Sequence, residues 1–166
     1  MDKAIIQGYI NTLELSTTVF RRELSASFRE IVLPGAFTQS VKLNGAVPLF
    51  FNHKRSIAEP GLLELWENDK GIVFNAVIDD LEVLSKMLLG KIKGCSFTFV
   101  ELDGTMEDYD NAVSKRSIKE MILKEISVLD IIPAYTSGAE ILYIPDNLKD
   151  RAYQYFIDTM RRNAYK

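Results

Sequence analysis

Two apolar runs, "LLELWE" (Leu62–Glu67) and "GIVFNAVI" (Gly71–Ile78), meet across the polar break "NDKG". β-rich runs joined by Asn, Asp and Gly form a hairpin. That commits this part of the chain to antiparallel sheet. The same punctuation recurs. "KAIIQGYI" (Lys3–Ile10) opens a sheet, and "TVFRREL" (Thr18–Leu24) is a weaker strand. "FREIVLPGAF" (Phe28–Phe37) runs a strand into a Pro-Gly break. "AVPLFFN" (Ala46–Asn52) reads as a buried strand ending at His53, "CSFTFVEL" (Cys95–Leu102) as a strand, and "AEILYI" (Ala139–Ile144) as the last strand. "IKEMILKEISVLDII" (Ile118–Ile132) is long and β-branched, and Pro133 stops it. "DGTMEDYDNAVSK" (Asp103–Lys115) is polar and reads as a loop.

Helices are sparse. Phe37 and Val41 lie four apart before Asn44-Gly45, which predicts a short helix. Asp79-Asp80 caps a helix with Leu81, Leu84 and Leu88 on one face, closing near Gly90 or Gly94. Asn147 caps a last helix whose Leu148, Ala152, Tyr155 and Phe156 share a face. Many short strands with few helices predict a mainly β, α+β domain, an antiparallel sheet or barrel with helices packed outside. The division expected is a β domain over 1–145 and a C-terminal helical segment over 146–166. That segment either packs on the domain or makes dimer or scaffold contacts.

Charge and residue usage narrow the chemistry. The net charge is −3 with both signs interspersed, so no partnership with nucleic acid or an anionic membrane is expected. No apolar run reaches membrane-spanning length. The opening "MDKAIIQGYI" lacks the features of a secretory leader. A single histidine and a single cysteine leave little for a zinc site, and neither metal nor cofactor is expected. No Gly-rich phosphate loop is present.

The one histidine, His53, follows a strand, where a side chain is held yet reachable. It is either a satisfied ring at a strand end or a general base. In "GCSFTF", period-two alternation puts Ser96, Thr98 and Val100 on one face and Cys95, Phe97 and Phe99 on the other. Ser96 is either a solvent-facing hydroxyl or a nucleophile, and a serine nucleophile needs a base. Gly94 before it would leave room for a substrate carbonyl. Cys95, on the phenylalanine face, reads as core. Glu125, in "LKEISVLD", is a carboxylate in an apolar strand and needs a partner, either a lysine or His53 Nδ1. Asp130 is the alternative orienting acid.

"IVLPGAF" (Ile31–Phe37), "LFFNHK" (Leu49–Lys54), "PGLLEL" (Pro60–Leu65), "KGIVFNAVI" (Lys70–Ile78), "GCSFTFVE" (Gly94–Glu101) and "LKEISVLDIIPAY" (Leu123–Tyr135) stand in the order seen in the prohead (procapsid maturation) proteases of tailed phages. The chain resembles that family over roughly residues 3–144. The resemblance implies a closed antiparallel β-barrel of about seven strands ringed by helices, similar to the herpesvirus assemblins. It implies a serine protease with Ser96 as nucleophile, His53 as base and Glu125 as third member. It also implies an oxyanion loop in "PAYTSG", at Ala134, Tyr135 and Thr136. The partners implied are the major capsid protein and its scaffolding segment or a separate scaffold, with a homodimer as the active form. The place implied is the procapsid in the host cytoplasm, with little or none kept in the mature virion. Two departures stand out: Lys54 occupies a position where the family commonly has an acid, and "KRSIAEPG" (Lys54–Gly61) is looser than the family pattern. A catalytically silent assembly protein of the same fold and an unrelated esterase are the competing readings.

Overall fold

The computed structural model describes residues 2–17, 20–21, 27–58, 60–110 and 113–164. Its strands are β1 (Ala4–Thr12), β2 (Phe20–Arg21), β3 (Ser27–Val32), β4 (Leu49–Phe51), β5 (Arg55–Ala58), β6 (Leu63–Glu67), β7 (Gly71–Ile78), β8 (Gly94–Asp110), β9 (Val113–Leu129) and β10 (Gly138–Tyr143). Its α-helices are α1 (Ala36–Asn44), α2 (Leu81–Leu88) and α3 (Asp146–Ala164). The class is α+β, dominated by strand. The weak strand expected over Thr18–Leu24 is described only at Phe20–Arg21; its remaining residues lie outside the described ones.

The strands form two sheets. One runs β10-β1-β7-β6 and is antiparallel throughout, with β6 and β7 as the expected hairpin. The other runs β2-β3-β9-β4-β5, with β8 along the opposite side of β9. Two features differ from the expected closed antiparallel barrel. Among the described residues neither sheet closes on itself, and β9 pairs in parallel with both β3 and β4. The burial at one end of β9 fits its parallel pairing with β4: Glu125 through Leu129 are all buried, on both faces of the strand, the environment of a central strand.

A further difference lies at Asp103–Asp110 and at 113–115, which are strand and not loop. β8 continues to Asp110 and β9 begins at Val113, so the two make a long two-stranded ribbon. Its polar composition reflects solvent on both faces of β8, where Thr105 to Asp110 are all exposed, while cross-strand pairs such as Lys115–Glu107 at 3.0 Å hold it.

One hydrophobic cluster joins both sheets and the helices, through Ile6 and Phe74 from one sheet, Leu49 and Ile126 from the other, Phe37 of α1, Leu84 of α2 and Leu148 of α3. The α1 helix starts at Gly35, which has no side-chain cap of its own. Glu67 at the end of β6 reaches over instead, accepting from Gly35 N–H at 2.7 Å and from the Thr38 hydroxyl at 2.7 Å. The helix α3 begins at Asp146, one residue before the expected Asn147 cap, and the Pro145 carbonyl accepts its first N–H groups. It packs against α2 with Leu148 and Ala152 fully buried and Tyr155 and Phe156 half-buried.

Asp80 caps α2 as expected, accepting from Val83 N–H at 2.9 Å, and it also holds Arg55 of β5. Burial by itself would raise the Asp80 carboxyl. The hydrogen bonds from Arg55 and Val83 outweigh it and hold the group below the usual aspartate range. Its contribution is therefore present above the ordinary aspartate pKa and is lost as pH falls through the lowered folded value. Asp80→Ala is expected to cost about 1–2 kcal/mol in urea unfolding at neutral pH, with a smaller difference in acid.

Candidate active site

The site is built where β4, β9 and β8 lie side by side. Phe50 of β4 is in register with Ser127 of β9, and Ser127 with Ser96 of β8. Two residue pairs along, Thr98 stands opposite Glu125. Ser96, Thr98, Glu125 and Ser127 therefore share one face, while Cys95, Phe97, Ile126 and Val128 fill the core behind them.

Glu125 reaches this face through a break in the strand's alternation. Thr98 pairs with Glu125 but Phe99 pairs with Leu123, so Lys124 is an extra residue in β9. A bulge of this kind re-aims a side chain. Leu123 and Ile126 both point into the core, three positions apart, and Glu125 between them points out. The Ser40 hydroxyl of α1 accepts the Leu123 N–H at 2.6 Å and pins the bulge from behind.

His53 sits in the turn between β4 and β5. Asn52 and His53 have φ of 52° and 58°, the left-handed region that non-glycine residues enter at a cost of about 1–2 kcal/mol each. Asn is one of the residues that tolerate it. The turn is held from several sides. Asn52 N–H donates to Val128 O at 3.0 Å, and Lys54 N–H to Phe51 O at 3.0 Å. His53 N–H donates to the Ser127 hydroxyl at 2.9 Å. Asn52 and Asp130 exchange two hydrogen bonds, Nδ2–H to Oδ1 at 2.8 Å and the Asp130 N–H to Asn52 Oδ1 at 3.1 Å. Lys86 of α2 closes the chain by pairing with Asp130, whose carboxyl it holds below the usual range.

Held this way, the ring of His53 directs Nδ1 at Glu125 Oε1. The histidine side chain is 36% exposed and the glutamate 12%, so the imidazole is reachable and the carboxylate sheltered. An ionised carboxylate only accepts, so Nδ1 carries the proton and Nε2 is left as an acceptor. The Thr98 hydroxyl donates to the same Oε1 at 3.1 Å.

His53 and Glu125 are in contact, and half-buried Ser96 is on their face. Asp130 does not meet the imidazole; it serves Asn52 and Lys86. Cys95 is 1% exposed in the core, and burial pushes its thiol up. Gly94 does not hold space open for a substrate. A Cβ there would lie 2.6 Å from Ser137 Oγ and 2.7 Å from Pro133 Cγ, so the glycine admits the segment between β9 and β10. That segment is stitched to β8, with Cys95 N–H donating to Ser137 Oγ at 2.8 Å and the Ser137 hydroxyl to Cys95 O at 2.9 Å. The Ala134 carbonyl accepts from Thr17 N–H and the Thr136 carbonyl from Thr12 N–H. Tyr135 turns away from the Ser96 face, its ring 5.3 Å from that of Phe97 and its hydroxyl on Glu30. Lys54 is exposed, and the segment after it is tied down by Arg55 on Asp80 and Glu82. Ser127 and Lys86 carry no signal of their own in the sequence, and Thr98 only its place on the Ser96 face; the strand register and the turn bring them to the histidine.

The profile of the caudovirus prohead serine proteases matches residues 1–164. The chain belongs to that family. It is a serine peptidase, a hydrolase acting on peptide bonds, and its family assigns it a protease role in phage capsid maturation. No curated protein matches the chain. The family member carries its histidine–glutamate contact on the same three-strand platform as the serine that the sequence pattern singles out. No helix among the described residues is long and apolar enough to cross a membrane.

Proposed function

We propose that Ser96, His53 and Glu125 form the catalytic triad of this prohead protease. The observation that carries the reading is the Nδ1–Oε1 contact between His53 and Glu125 on the face that Ser96 shares. His53 Nε2 accepts the Ser96 proton as the oxygen attacks the scissile carbonyl, and Glu125 holds the imidazole and stabilises its protonated form. The leaving amine takes the proton back from Nε2. Water then hydrolyses the acyl-enzyme by the same base. The backbone of Ala134, Tyr135 and Thr136, drawn against β8 by Gly94, is the proposed source of oxyanion donors.

The substrates proposed are the major capsid protein and its scaffolding segment or a separate scaffold, cut inside the procapsid in the host cytoplasm. A homodimer is the proposed active form. The two sheets, joined where β8 meets the entry to β10, are proposed as the wall of an assemblin-like barrel.

The test uses a fluorophosphonate probe and the cognate major capsid protein. The native chain is expected to be labelled and to cleave the capsid protein, and Ser96→Ala to lose the label. A native chain that neither labels nor cleaves, or a labelled Ser96→Ala, would remove Ser96 from the mechanism; the first outcome would favour a silent assembly protein.

A further inference from the structure

We infer that Thr98 is a positioning residue of this site, holding the Glu125 carboxylate in the orientation that keeps His53 ready to accept a proton. The inference rests on the proposed roles of Ser96, His53 and Glu125. The Thr98 hydroxyl donates at 3.1 Å to Oε1 of Glu125, the same oxygen that meets His53 Nδ1. One carboxylate oxygen has two lone pairs, so both donors are accommodated.

The need for a second donor comes from the bulge. Glu125 follows the extra residue Lys124, and the core residues that flank the pair, Leu123 and Ile126, are committed to the interior. Its side chain points to the face away from Leu123 and Ile126, and the torsion of its terminal carboxylate has only broad intrinsic preferences. A single hydrogen bond to His53 fixes one direction and leaves the twist about it weakly defined. Thr98 lies directly across the strand pair and is β-branched, so its χ1 is stiff and its hydroxyl is aimed before the carboxylate arrives. Two donors on one oxygen, from two elements, define the plane of the carboxylate and through it the plane of the imidazole.

Among the described residues the Thr98 hydroxyl bonds to nothing but Glu125. Thr98 is exposed, on the side of β8 away from Phe97 and Phe99. Valine has the same shape and an equally good strand propensity there, so Thr98→Val removes the donor and little else. Thr98→Ser restores it with a freer side chain. The group acts on the geometry of the base rather than on substrate affinity, so its loss should fall on the chemical step.

The experiment measures inactivation of the full chain by a fluorophosphonate probe, resolved into Ki and kinact. The probe's phosphorus bonds to Ser96 Oγ, fluoride leaves and the hydroxyl proton passes to His53. Thr98→Val is expected to lower kinact about tenfold with Ki changed less than about twofold, and Thr98→Ser to recover to within about threefold. On a Glu125→Ala background, Thr98→Val should add no further loss. Melting temperatures of the single variants should agree within about 2 °C. Undiminished kinact in Thr98→Val, equal loss in Thr98→Ser, or a full tenfold loss on the Glu125→Ala background would each overturn the inference. Labelling that persists in Ser96→Ala would overturn the site itself, whatever Thr98 does, so the two failures are separable.

Discussion

Substituting His53 by asparagine is expected to lower capsid-protein cleavage by about five to six orders of magnitude while leaving the fold in place. The size follows from the chemistry. A serine hydroxyl at neutral pH is a poor nucleophile, and the chain has no second imidazole to take its proton. Removing one member of a unit that acts together costs nearly as much as removing all of it. Asparagine is the informative replacement because His53 sits at φ 58°. An alanine there would add backbone strain to the loss of the ring, whereas asparagine tolerates the left-handed region. The Asn52–Asp130 exchange and the His53 N–H bond to Ser127 do not involve the ring and persist. Thermal unfolding should therefore be close to that of the native chain. A His53→Asn variant that cleaves at more than about a hundredth of the native rate would show that another group accepts the proton.

The largest expected effect on stability lies away from the site, at Arg116. Its guanidinium binds Glu30 at 2.8 Å, pairs with Glu101 and lies over the rings of Phe28 and Phe99. Glu30 is 4% exposed, and its other oxygen accepts from the Tyr135 hydroxyl. Arg116→Met leaves that carboxyl buried without its cation, and a loss of about 3–5 kcal/mol in urea unfolding at neutral pH is expected. The pH dependence has a definite sign. Burial raises the Glu30 carboxyl above its ordinary value of 4.5, against the pull of Tyr135 and Arg116. A raised carboxyl binds its proton in the folded state at a pH where the unfolded chain has released it. Stability therefore falls as pH rises from the ordinary value to the folded one, then levels. Without Arg116 the folded value rises further and that window widens. The penalty of Arg116→Met should be greatest at neutral pH and should shrink as pH falls toward the ordinary glutamate range. Adding Glu30→Gln should recover part of it at neutral pH, because an amide needs no counter-charge. A penalty independent of pH, with no recovery in the double variant, would assign the loss to ring packing instead.

The two networks also show which parts of the fold are legible in a single sequence. The β6–β7 hairpin, α1 and α2 are written in local signals, namely a turn, a glycine stop and an aspartate cap. The face of Ser96 is equally legible, because β8 is regular from Gly94 to Glu101 and alternation holds. The outer ribbon is not. Its residues are polar because both faces of β8 meet water from Thr105 to Asp110, and a polar run of that length reads as a loop until its partner strand is known. The parallel neighbours of β9 are likewise a property of the assembled sheet, hinted at only by a strand end buried on both faces. Gly94 reads as space before a nucleophile, but that space is filled by Pro133 and Ser137, which lie some forty residues along the chain.

The extra residue at Lys124 has a wider consequence. On an unbroken strand Glu125 would share its side with Leu123, inside the protein. What brings the acid to the imidazole is a count of backbone units between two core residues, and the identity of Lys124 is immaterial to it. Related chains can thus keep every side chain of "EISVL" and still lose the contact through deletion of the one residue before the glutamate. They can also vary the lysine freely and keep it. For this acid, the spacing between Leu123 and Ile126 is the quantity to compare across relatives, ahead of the letters in between.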